Sequence, residues 1–179
     1  ANDDTRILRE LAKRYLEITE RPEQTLNRDL WRRHNSLKGD RPLIYVRQFG
    51  WKELPESRLL CQDPFFQTFE NTLRFNIFWA SMGDDSVFEP WITMPARYVC
   101  TGWGVPIVRH YSAEARGSWK AEYPLQTLDD ISKLRAPWHE IDEAATAQDL
   151  LRLQDAIGDI LTINVDRGPV YRIWDGDLS

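Results

Sequence analysis

The sequence is poor in the residues that build metal centres and cross-links, with two cysteines and three histidines among 179 residues. Cys61 and Cys100 stand far apart without Cys-x-x-Cys or Cys-x-His spacing, and His34, His110 and His139 are scattered. This pattern excludes a disulfide framework and leaves no metal site to expect within the chain; reduced thiols and a cytoplasmic setting are expected instead. No apolar run approaches the roughly 20 residues that span a bilayer, and the charged N-terminus is no signal-peptide core, so no membrane partner is expected. Runs of Lys and Arg are also missing. With 28 acidic against 23 basic side chains the net charge is −5, which argues against nucleic acid, whose binding scales with clustered cations. There is no internal repeat and no low-complexity linker.

What the chain does contain is ordinary globular material: 42% hydrophobic and 28% charged residues, enough to bury a core. Eight tryptophans are the exception, and such rings either fill a core or wall a pocket for a flat or apolar ligand.

Ile7, Leu8, Leu11, Tyr15, Leu16 and Ile18 recur at helical spacing and predict an amphipathic helix over 5–20. Pro22 suits the first turn of a second helix carrying Leu26, Leu30, Trp31, His34 and Leu37, ended by Gly39. Residues 1–39 therefore read as a helical N-terminal extension, and 40–179 as a second domain. Leu43-Ile44-Tyr45-Val46 reads as a buried strand with Arg47 and Gln48 at its C-terminal end, where α/β folds carry ligand-binding loops. Asp63-Pro64 pairs an N-cap with a first-turn proline and opens a helix running to Gly83, with Phe65, Phe66 and Phe69 in the core. A second strand is expected over 86–93, and a β-hairpin excursion over 105–111 and 118–123. A short helix capped by Thr127, a helix opened by Thr146 and Asp149 and stopped by Gly158, and a third strand over 160–165 follow along the chain. Strand and helix alternation of this kind is the rhythm of an α/β fold.

The segment Arg41-Pro-Leu-Ile-Tyr-Val-Arg-Gln-Phe-Gly-Trp-Lys-Glu-Leu-Pro-Glu56 resembles the first strand of the uroporphyrinogen decarboxylase superfamily, whose recurrent pattern is P-x-W-x-M-R-Q-A-G-R-x-L-P-E. The stretch from Tyr123 to Pro137 is similar to the family's short helix followed by proline. The resemblance implies the N-terminal part of a (β/α)8 TIM barrel with its site at the C-terminal strand ends. A full barrel takes about 250 residues, so three strands in 179 imply an incomplete barrel. The rest of the barrel, whether a missing C-terminal half or another chain, is then an expected partner, and association into a homodimer is one way to close the fold.

Under the resemblance Arg47 is the catalytic-site arginine that binds a substrate carboxylate, since a guanidinium grips a carboxylate bidentately. Gln48 follows it as a substrate-binding residue. The motif's second arginine falls on Trp51, and no aspartate stands where the decarboxylases place theirs; Glu89 is the carboxylate nearest that register. These departures favour the superfamily's methyltransferases, which work with a corrinoid methyl carrier, over a decarboxylase of haem biosynthesis. A non-catalytic partial barrel that binds a partner is the alternative from another class. No cofactor is required within this chain; the resemblance implies a corrinoid, carried by a corrinoid protein, and zinc with ligands outside this chain. Trp51, Trp91 and Trp103 fall at or after expected strand ends, where they wall a pocket for a small-molecule substrate or pack in the core. Trp31, Trp79 and Trp138 read as helix-packing residues. Asp166 and Arg167 sit at the third strand's mouth, where an Asp-Arg-Gly-Pro turn explains them equally well.

Overall fold

The computed structural model describes residues 3–113 and 118–168. It divides into two units, one holding residues up to Met94 together with Asp149–Asn164, the other Pro95–Gln148 and the residues from Val165 onward. The division does not fall at residue 39: both N-terminal helices lie within the first unit.

Helix α1 (Asp3–Thr19) turns Leu8, Leu11, Tyr15 and Ile18 inward and packs on α3 (Pro64–Ala80), which buries Phe66, Phe69 and Leu73. The spacing of three and four residues puts each set on one helix face. Asp63 caps α3 as its sequence predicts, its carboxylate accepting the Phe65 N–H at 2.9 Å, with Pro64 behind it. Phe88, Ile92, Met94, Leu153, Ile157 and Leu161 fill the rest of this core.

Helix α2 (Pro22–Asn35) differs from expectation. Leu26 and Leu37 of its apolar stripe are exposed, and the face turned inward is Gln24, Asn27, Arg28 and Trp31. Each of these donates to or accepts from the backbone or side chains of residues 85–89, so α2 is attached largely by hydrogen bonds, with Leu30 half-buried beside them. It also ends before Gly39. Leu37, not glycine, takes the left-handed position (φ 56°), with the Leu37 N–H on the His34 carbonyl and the Lys38 N–H on the Arg33 carbonyl, a complete Schellman motif.

The expected first strand over 43–46 pairs with no strand among the described residues, because its Ile44 and Val46 N–H groups donate to carboxylates instead. Strand β1 (Trp91–Pro95) starts later than expected, the stretch before it being held by α2, and lies beside β6 (Thr162–Asp166). The Thr162 N–H meets the Pro90 carbonyl and the Ala96 N–H meets that of Asp166, so the two run parallel, with α4 (Glu143–Ile157) in the crossover. Helix α4 begins a turn earlier than Thr146: the Asp142 carboxylate accepts the Ala145 N–H at 2.9 Å, and the Thr146 hydroxyl turns back to the Asp142 carbonyl at 2.7 Å.

In the second unit, β2 (Tyr98–Cys100) pairs antiparallel with β5 (His139–Ile141). The expected hairpin is present as β3 (Val108–Tyr111) and β4 (Trp119–Glu122), with Tyr111 opposite Trp119. Thr127 and Asp130 form a capping box on a 3₁₀ turn over Leu128–Lys133. Trp138, expected to pack on a helix, is half exposed on a loop, with its backbone N–H donating to the Thr101 hydroxyl at 2.8 Å. Among the described residues the strands make three separate pairs and no arc of a barrel, since the 43–46 segment that would begin one is turned to other partners. None of the helices among them is long and apolar enough to cross a membrane.

Candidate functional site

Residues 41–48 are fixed from one side by two successive carboxylates that follow Gly83 at the end of α3. Arg41 grips Asp85 through both terminal nitrogens, at 2.8 and 2.6 Å, and the Ile44 N–H adds a third bond to Asp85 at 2.7 Å. Asp84 accepts the Val46 N–H at 2.8 Å, the Trp79 indole N–H at 3.0 Å and the Ser86 N–H at 3.0 Å. The Arg41 guanidinium, with the Ile44 N–H, holds the Asp85 carboxyl down to about 2 from its ordinary 3.8. For Asp84, burial alone pushes upward, but the bonds from Val46, Trp79 and Ser86 outweigh it and the net shift is downward. Both acids are therefore permanently ionised anchors at neutral pH. Tyr45 completes the seat by meeting the Trp79 ring edge-on at 5.0 Å between centroids.

On this anchored segment Arg47 is exposed and, among the described residues, forms no ion pair or hydrogen bond. Gln48 places its amide nitrogen 3.4 Å from the Met82 sulfur, and its amide oxygen is buried without a partner. Phe49 beside them is 93% exposed. An immobilised backbone carrying an unpaired guanidinium is suited to bidentate capture of a carboxylate.

The other sequence-predicted residues are distributed differently. Glu89 is held by Arg28 in a two-point pair, Nε at 3.0 Å and Nη2 at 2.8 Å, which also raises the Arg28 pKa. It thus acts as a structural acceptor joining α2 to the strand entrance. Trp51 is core: its indole N–H donates to Asn71 at 2.9 Å and its ring packs on Phe75 and Phe78. Trp91 opens β1 and is 41% exposed. Trp103 belongs to the second unit, where it lines a cavity of about 470 Å³ formed by residues 100–107. Asp166 closes an Asx turn by accepting the Gly168 N–H at 2.8 Å, and Arg167 pairs with Glu143. Trp31 and Trp79 are packing residues, each with its indole N–H on the loop after α3. Only Arg47 and Gln48 of the predicted set share one anchored element free of competing salt bridges.

Sequence reading missed Arg28, Arg41, Asp84 and Asp85. The Asp-Asp pair directly after Gly83, just beyond α3, was the available signal, since carboxylates past a helix exit have no macrodipole reason to be there. No group of three or more His, Cys, Asp or Glu side chains suited to a metal ion occurs among the described residues. The chain matches no family model, no curated protein and no solved structure.

Proposed function

We propose that the chain is part of an enzyme of the uroporphyrinogen decarboxylase superfamily that transfers methyl groups to or from a corrinoid carrier, with Arg47 binding the carboxylate of a small methylated acid. The observation that carries this reading is the unpaired Arg47 on a segment immobilised by Asp84 and Asp85. The parallel pairing of β1 with β6, with α4 directly before β6, is the local arrangement that supports it. In this scheme the corrinoid is held by a separate carrier, and this chain's part is to hold and orient the acid. Because Arg28 occupies both oxygens of Glu89, the carboxylate a decarboxylase would aim at its pyrroles is already engaged.

The test is methyl transfer to cob(I)alamin, followed by its absorbance change, with methylammonium and methoxylated carboxylic acids as donors. Transfer with at least one acid is expected, and Arg47→Ala should raise KM with the thermal midpoint unchanged, because Arg47 contributes no described contact. Conversion of uroporphyrinogen to coproporphyrinogen, or no methyl transfer with any donor, overturns the proposal.

A further inference from the structure

A groove runs along the first unit between α1 and α3. It consists of two adjoining hollows of about 420 and 290 Å³ that share Leu11, Arg14 and Arg74 as a common wall. Neither is lined by Arg47, Gln48 or Glu89. Leu60 borders the larger hollow, and Ile77 and Phe78 form the apolar side of the smaller. The volumes are those of small-molecule sites.

The charges in the groove do not cancel evenly. Arg6 answers Asp3 and Glu10 at its far end, and Asp4 is occupied by the Gln62 and Asp63 N–H groups. Arg74 is bound to Glu70 through Nε alone, at 2.8 Å, which leaves the two terminal nitrogens of its fork without a partner among the described residues. Arg14 is exposed and has no hydrogen bond or ion pair among them. Glu70 balances Arg74, and Glu56 at the rim offsets the charge of Arg14, so the shared wall is near neutral; what it offers is the unpaired donors of Arg14 and Arg74 against an apolar side. Such a wall suits a monoanion and disfavours a phosphate dianion, which would meet the two carboxylates.

We propose that this groove binds a small monocarboxylic acid with an apolar body, its carboxylate held between Arg14 and the terminal nitrogens of Arg74 and its hydrocarbon part laid along Leu11, Ile77 and Phe78. Planar, multidentate donors favour carboxylate over other monoanions, and the aliphatic faces add affinity in proportion to the chain buried.

The experiment uses the whole 179-residue chain, titrated with hexanoate, hexanol and inorganic phosphate and followed by backbone amide shifts and calorimetry. Hexanoate should bind saturably, with shifts confined to α1, α3 and residues 56–62, and hexanol and phosphate should each bind at least tenfold more weakly. Arg14→Gln should weaken hexanoate by roughly tenfold, the loss of one charge-assisted pair, without moving the thermal midpoint. Arg47→Ala is expected to leave hexanoate binding here unchanged, which separates this site from the one proposed above. Equal binding of hexanol, an unaltered Arg14→Gln affinity, or shifts centred elsewhere would overturn the proposal.

Discussion

Replacing Glu70 by glutamine should cost this chain more than its volume suggests. Glu70 has no exposed surface, yet it carries a charge in the middle of the first unit. Its oxygens accept the Leu60 N–H at 2.9 and 3.0 Å, the Cys61 N–H at 2.8 Å and Arg74 Nε at 2.8 Å. Burial is the largest single influence on this carboxyl and pushes its pKa up; the bonds from Cys61, Leu60 and Arg74 together outweigh it, and the net shift is downward. Glutamine keeps one acceptor oxygen, so it can serve the two backbone donors or Arg74 but not both. The two backbone bonds lose their charge assistance, at about 1 kcal/mol each, and one donor is left facing an NH₂, at about 1 kcal/mol more. Relief of the carboxylate's own desolvation offsets part of this, leaving roughly 2 to 3 kcal/mol. With a urea slope near 2 kcal/mol per molar, the unfolding midpoint should fall by about 1 to 1.5 M. A second reading comes from Cys61, whose thiol is buried and pushed up to about 12, first by burial and then by Glu70. Loosening residues 60–63 should speed its labelling by a thiol reagent under native conditions. Arg6→Ala, which breaks only exposed pairs, serves as the control and should stay within about 0.5 kcal/mol. A Glu70→Gln midpoint no different from that control would refute the view that this carboxylate holds the 60–63 segment.

Two further predictions address the other anchors. Leu37→Gly should stabilise the chain by about 0.5 to 1 kcal/mol, since Leu37 is 96% exposed and pays for a left-handed conformation that glycine adopts freely; a lower melting temperature in the variant would contradict it. Asp85 titrates at about 2 when folded against an ordinary 3.8, so its contribution is fully present above the unfolded value and is lost as pH falls through the folded one. Unfolding free energy measured by urea should therefore decline between about pH 4 and 2, and Asp85→Asn should flatten that decline; an equal slope in both proteins would show that the Arg41 pair does not act as described.

The elements that depend on near neighbours in sequence were legible from the residues. The α1 and α3 stripes, the Asp63-Pro64 start, the Thr127 cap and the hairpin around Tyr111 and Trp119 all follow from spacings of two to four residues. Arg47 and Gln48 could be singled out in the same way, as polar residues directly after an extended apolar run. What only the tertiary structure decided is where the partners of ambiguous segments lie. Leu43 to Val46 has the composition of a strand, but Asp84 and Asp85, some forty residues away, take its N–H groups and leave it outside any sheet. Helix α2 shows an apolar stripe and uses a polar one, because residues 85–89 present it with unpaired backbone groups rather than with an apolar surface. Asp4 and Glu70 look like solvent-facing helix charges and are buried, since an irregular segment at 60–63 brings N–H groups into the core that only an acceptor can satisfy. Periodicity reports the face a helix or strand could bury; which face is buried depends on the hydrogen-bonding demands of distant backbone, and those exist only once the chain has folded.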